Sequence, residues 1–171
     1  MIYRRATPED TRALSALGRE SFLVKFGHLY RPEDIASFTE STHSEAAVAA
    51  ALADPKLLCQ LAEAEDGTLA GYCRIALASS FPDHARGART MELKQLYTHP
   101  ARTGQGIGAA LMDWAMDQFR IRGADEVHLS VWSGNHGAQR FYERYGFTKT
   151  ADIVFMVGEQ ADHDLLFARM L

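Results

Sequence analysis

Two stretches of the chain combine residue types that could do chemistry. The first is Leu96-Tyr97-Thr98-His99-Pro100-Ala101-Arg102-Thr103-Gly104-Gln105-Gly106-Ile107-Gly108. A strand-like run enters a turn with glycine at alternate positions, and a helical pattern follows. Glycine lacks a Cβ, so a ligand can come close to the backbone there. The first N–H groups of a helix have no intrahelical partners and sit at the positive end of its dipole. Such a turn seats a phosphate or pyrophosphate. The spacing Gly104-x-Gly106-x-Gly108 departs from the dinucleotide fingerprint, which places two residues between its second and third glycines. No acidic residue stands in the ribose-binding context about 20 residues on. The turn also lacks the Gly-Lys-Ser/Thr ending of a Walker loop.

The second stretch is Val131-Trp132-Ser133-Gly134-Asn135-His136-Gly137-Ala138-Gln139-Arg140-Phe141-Tyr142-Glu143-Arg144-Tyr145-Gly146-Phe147. It resembles the second signature of the GNAT acetyltransferase superfamily: a strand, an Asn, an Ala three residues later, an aromatic-Tyr pair and Gly-Phe. The glycine turn resembles that family's first signature, Arg/Gln-x-x-Gly-x-Gly/Ala. The two motifs stand in the family's order and at its usual separation. The likeness is clear from about Glu92 to the end and looser before it.

The resemblance implies an N-acetyltransferase, moving an acetyl group from acetyl-CoA to a primary amine by direct attack in a ternary complex. It places the CoA pyrophosphate on the backbone N–H groups of Thr103, Gly104, Gln105, Gly106, Ile107 and Gly108. The pantetheine arm would lie along Leu96, Tyr97 and Thr98, whose strand edge can pair with its amides. One departure stands out: Thr103 occupies the position of the usual Arg or Gln, and the neighbouring Arg102 points elsewhere. Asn135 maps to an asparagine near the pantetheine and acceptor, although an asparagine there also serves as a helix cap. Tyr142 maps to the tyrosine that protonates the departing thiolate; the plainer reading is an interfacial aromatic. Glu92 matches the glutamate that some members use as base, with a surface or Lys94-paired glutamate as the plainer reading. Strand alternation puts it on one face with Lys94, Leu96 and Thr98. Other members use a glutamate where this chain has Ser130.

The elements that must position these residues follow from patterning. Residues 2–6 read as a strand, and Thr7-Pro8-Glu9-Asp10 as a helix start. Leu14, Leu17, Ser21 and Val24 continue that helix. A short second helix runs from Arg31-Pro32 through Phe38, and a third from Ser44 to before Asp54-Pro55. Strands at 57–64 and 69–78 flank the tight-turn pair Asp66-Gly67, and 79–89 is a polar loop. A strand at 90–98 leads into the glycine turn. The helix after it buries Ile107, Leu111, Ala115 and Phe119, with Trp114 beside them. A strand at 126–132, a helix through Tyr145 and strands at about 147–157 and 164–170 complete the chain. Asp162-His163-Asp164 reads as a polar turn between the last two. One domain over 1–171, α/β (α+β) in class, with a mixed sheet and helices on both faces accounts for the order. The resemblance makes that sheet about seven strands, mostly antiparallel and splayed at the acyl-CoA site.

Composition narrows the partners. The 171 residues carry a formal net charge of −4, without the basic stripe of nucleic-acid binders. Cys59 and Cys73 lie in apolar strands and read as buried thiols. The seven histidines show no paired metal-ligand spacing, so no metal is expected. The start of the chain is strand-like and no long apolar span follows, so a cytoplasmic protein without a membrane partner is expected. The segments Phe26–Ile35 and Glu92–Tyr97 are similar to bacterial polyamine acetyltransferases of the PaiA type, which makes a polyamine such as spermidine the expected acceptor. Glu20, Glu33, Asp34 and Glu40 are the carboxylates expected to hold its distal ammonium groups. The alternative acceptors are an amino acid and a protein N-terminus; a catalytically weak acyl-CoA-binding or sensing module keeps the fold without the chemistry. A homodimer is a further implication of the resemblance.

Overall fold

The computed structural model describes residues 1–171. Strand β1 (Ile2–Arg5) leads through a short 3-10 turn into helix α1 (Thr11–Phe26), followed by α2 (Pro32–His43) and α3 (Glu45–Ala53). The hairpin β2 (Leu57–Glu63) and β3 (Leu69–Ala76) precedes β4 (Thr90–Thr98) and α4 (Ile107–Ile121). Then come β5 (Glu126–Trp132), α5 (His136–Arg144), β6 (Thr148–Val157) and β7 (Gln160–Met170). The strands form one seven-stranded sheet in the order β1-β2-β3-β4-β5-β7-β6. Every neighbouring pair is antiparallel except β4 and β5. No helix is long and apolar enough to cross a membrane.

Side-chain patterning divides the sheet into two faces. On one, α4 buries Ile107, Leu111, Met112, Ala115, Met116 and Phe119 against Cys73, Ile75, Leu93, Val127 and Leu129. Full burial of each large apolar side chain is worth about 1.5–3 kcal/mol, so this stripe anchors the start of α4 firmly behind the glycine turn. On the other face, Leu14 and Leu17 of α1 and Val48 of α3 pack on Cys59, Leu61 and Tyr72. Both cysteines are buried free thiols.

Two features of the sheet shape the site. The parallel pairing of β4 with β5 covers only Thr90–Glu92 opposite Glu126–His128. Beyond it the strands part: β5 continues on β7 as far as Trp132 opposite Asp164, while β4 continues on β3. Where they part, β4 carries a bulge, because Arg74 pairs with Gln95 and Ile75 with Leu93, leaving Lys94 as the extra residue. An extra residue reverses the alternation of faces. Glu92 therefore shares a face with Gln95 and Tyr97, not with Leu96 and Thr98 as strict alternation implied.

Two element boundaries also differ from the sequence reading. Helix α2 continues past Phe38 to His43, through Thr39, Ser41 and Thr42, residues of middling helix propensity. Burial of Thr39 and His43 holds that extension. Strand β7 begins at Gln160, so Asp162-His163-Asp164 lies inside a strand rather than in a turn.

Candidate active site

The glycine turn is built for close approach. Gly104 and Gly106 adopt φ of +77° and +79°, a left-handed conformation that side chains disfavour, and a Cβ at either would meet nothing within 4 Å. Every N–H from Thr103 through Ala109 lacks an acceptor within the chain; the first helical bond runs from the N–H of Ala110 to the carbonyl of Gly106. The Ile107 side chain is buried, so that residue offers only its backbone. Arg102 turns away, toward Asp66 at 3.7 Å and the Thr68 hydroxyl at 3.4 Å, and does not replace the side chain missing at Thr103. A row of free donors at a helix N-terminus is chemically suited to a phosphate or pyrophosphate.

From this turn a cavity of about 1000 Å³ runs into the cleft where β4 and β5 part. Leu96, Tyr97, Thr98, Thr103, Asn135 and Tyr142 line it, whereas Gly104 through Gly108 stand outside it. The edge of β4 beyond Glu92 is covered by no strand. Asn135 caps α5, its Oδ1 accepting the N–H of Ala138 at 3.2 Å. Helix α5 is tied to α4 by the Tyr145 hydroxyl, which donates to Asp113 at 2.9 Å or to the Ala109 carbonyl at 3.2 Å. That fixes Tyr142, one turn earlier, in the cleft. Burial pushes the Tyr142 phenol well above its ordinary range, with Cys73 and Tyr97 adding to the effect. It therefore stays protonated at neutral pH.

Glu92 lines the same cavity and is 4% exposed. Its Oε2 accepts the N–H of Ser80 at 2.7 Å, and its Oε1 lies 3.1 Å from the Lys94 ammonium. Lys94 also donates to the Ser80 hydroxyl at 2.9 Å. The bulge residue thus fastens the loop before β4 to the carboxylate. Ser130, on β5, lies in the wall as well.

Four charged residues of the cavity, Asp162, Asp164, Arg74 and Lys25, escaped the sequence reading. Asp162 and Asp164 project from β7 on the cavity side, while His163 between them faces away and meets Asp152 at 2.7 Å. Asp162 is held by the Tyr30 hydroxyl and, at 2.9 Å, by the Gln160 side-chain amide. Burial, and then the charge of Asp162, push the Asp164 carboxyl up to about 6. Arg74 on β3 is also buried in the wall, and its Nε has no partner. The available signals were the alternation of Asp162 with Asp164 and a single charge inside an apolar strand. Conversely, Glu20, Glu33, Asp34 and Glu40 do not line the cavity. Asp34 is instead consumed by Arg31, at 2.9 Å, and by the N–H of Glu159, at 2.8 Å. Phe22, Lys25, Phe26 and Tyr30 of the early segment do face the cavity.

Residues 23–147 match the Acetyltransferase (GNAT) family. The chain belongs to that family. An aminoalkylphosphonate N-acetyltransferase of Salmonella typhimurium is 32% identical over 148 residues, 86% of this chain and 84% of that protein. An uncharacterised N-acetyltransferase of Lactobacillus delbrueckii subsp. lactis is 26% identical over 167 residues, 98% of this chain and 95% of that one. The crystal structure of a PaiA N-acetyltransferase from Thermoplasma acidophilum, in complex with coenzyme A, superposes with a TM-score of 0.80 at 22% identity. That match covers 99% of this chain and 98% of the other, and establishes the shared fold. This GNAT chain is an acetyl-CoA-dependent N-acetyltransferase.

Proposed function

We propose that the enzyme acetylates a small cationic primary amine, a polyamine such as spermidine, by direct attack in a ternary complex. The observation that carries this reading is that one cavity is lined both by Leu96–Thr98, Thr103 and Tyr142 and by Glu92, Ser130 and Asp164. Both reactants would meet in one space, so no acyl-enzyme is required, and orientation alone can supply a large part of the rate. The PaiA likeness and the acidic wall on β7 support the polyamine.

Acetyl-CoA supplies the activated acyl group as a thioester. In this reading the N–H groups of Thr103, Gly104, Gln105, Gly106, Ile107 and Gly108 hold its pyrophosphate. Leu96, Tyr97 and Thr98 pair with pantetheine through their free strand edge, and Asn135 meets the arm near the acceptor. Remote binding energy of this kind positions the reacting end. Tyr142 gives its phenolic proton to the departing thiolate. Glu92 receives the proton of the acceptor ammonium through one water. Each of its oxygens accepts one donor and has a further lone pair free.

A second reading rests on Arg74. A buried guanidinium without an ion pair could take an anionic group, and the Salmonella relative acts on aminoalkylphosphonates by name. Initial rates at varied concentrations of acetyl-CoA and spermidine test the main reading. Intersecting double-reciprocal lines are expected. Parallel lines would show an acyl-enzyme and contradict direct attack.

A further inference from the structure

Asp164 is 6% exposed, lines the cavity, accepts no hydrogen bond and joins no ion pair. A buried carboxylate normally has donors around it, since it has given up its hydration. Its neighbours do not supply any. Trp132 of β5 and Ile153 of β6 stand opposite it in the two registers. The adjacent inward residue is Asp162, already satisfied by Tyr30 and Gln160, so a second negative charge is fixed beside the first. The chain's own cations are engaged or remote. Lys94 is on Glu92, Lys25 lies 5.8 Å from the centre of the Phe26 ring, and Arg74 is on β3 with β4 and β5 between. Aromatic rings complete the surroundings. Phe155 is opposite Asp162, Tyr30 is bonded to it, and Trp132 meets Phe26 edge-on at 6.2 Å.

We propose that Asp164, backed by Asp162 and walled by Trp132, Phe155 and Tyr30, seats a second cationic group of the acceptor. The enzyme then selects amines that carry an ammonium besides the one it acetylates. A carboxylate pair supplies the charge and the rings supply faces for a cation. Side-chain recognition is thus assigned to β7, not to the carboxylates of the early helices. The assignment rests on the amine-acetylation reading above and sharpens it to a class of substrate.

The test compares kcat/KM for a linear diamine with that for the monoamine of equal chain length, in wild type and in Asp164→Asn. Wild type is expected to favour the diamine, and the variant to lose about tenfold or more of that preference, as when one partner of a buried charge pair is removed. An unchanged ratio overturns the proposal. So does an equal fall in kcat for both amines, which would place Asp164 in proton transfer. A wild-type preference for amines bearing a carboxylate or phosphonate would overturn it in favour of Arg74. Tetramethylammonium, which cannot be acetylated, gives a readout that does not depend on the variant folding. It should compete with the diamine in wild type, and absence of competition overturns the site. Failure of wild type to acetylate any amine would be a different result, striking the underlying reading instead.

Discussion

Replacing Asp164 by asparagine is expected to stabilise the ligand-free enzyme at neutral pH while impairing its use of a dicationic acceptor. The magnitude follows from the site. Burial, and next the charge of Asp162, hold the carboxyl at about 6 against 3.8 for an unperturbed aspartate. A carboxyl whose pKa is raised on folding opposes folding once ionised. The penalty is absent below 3.8, grows between 3.8 and 6, and is constant above 6. At pH 7.5 it amounts to about 3 kcal/mol, and at pH 5 to about half of that. The groups facing Asp164 simplify the comparison. Trp132 and Ile153 carry no charge, Tyr30 is bound to Asp162, and His163 points away to Asp152. Asparagine keeps the shape without the charge, so the difference between the two proteins isolates this group. Urea denaturation of both at pH 7.5 and pH 5 measures it. The variant should be more stable by about 3 kcal/mol at the higher pH, roughly 6–12 °C in Tm for a domain of this size. A variant no more stable than wild type at pH 7.5, or an advantage that fails to shrink at pH 5, would show that the Asp164 charge does not oppose folding.

Three further outcomes follow from the catalytic cleft. Tyr142→Phe should lower kcat by about 10²-fold, the low end for a general acid because a thiolate is already a fair leaving group, with little change in KM for acetyl-CoA; an unchanged kcat in single-turnover kinetics would remove Tyr142 from proton transfer. Glu92→Gln should lower kcat/KM and shift the pH–rate profile, since size is kept and basicity lost; a superimposable profile would make Glu92 structural, a clasp for Lys94 and Ser80. Gly106→Glu should abolish CoA binding by calorimetry, because the new side chain enters the space before the free N–H row and brings a like charge. Its left-handed φ costs about 1–2 kcal/mol, which a domain of this size tolerates, and unchanged affinity in the folded variant would displace the pyrophosphate seat.

Much of this architecture was legible because its signals are local. The Gly104–Gly108 turn announces itself by residue type, the α4 stripe by its 3.6-residue period, and β5 by strict alternation, so their bounds agree with the structure within a residue or two. The failures have physical causes. The bulge at Lys94 depends on the register of β3 against β4, which no local pattern encodes, and it moved Glu92 to the face of Tyr97. Asp162-His163-Asp164 has the composition of a turn, yet β6 pairs with it along its length. Its alternation was the true signal, since Asp162 and Asp164 share one face of the strand and that face is a wall of the cavity. Asp34 looked available to a ligand, but the N–H of Glu159, 125 residues away, had claimed it. The bulge and Asp34 turn on partners distant in sequence, whereas the β7 segment turns on its hairpin register with β6.

Transfer of acetyl groups from acetyl-CoA to a small amine with a second positive charge is the proposed activity of this GNAT enzyme. Release of free CoA thiol reads it directly, measured as kcat/KM across monoamines, diamines, spermidine, amino acids, an aminoalkylphosphonate and peptides at several salt concentrations. The highest values are expected for diamines and spermidine, declining as salt screens the acceptor's approach to the acidic wall. Thiol release favouring neutral or anionic amines, with no dependence on salt, would contradict it.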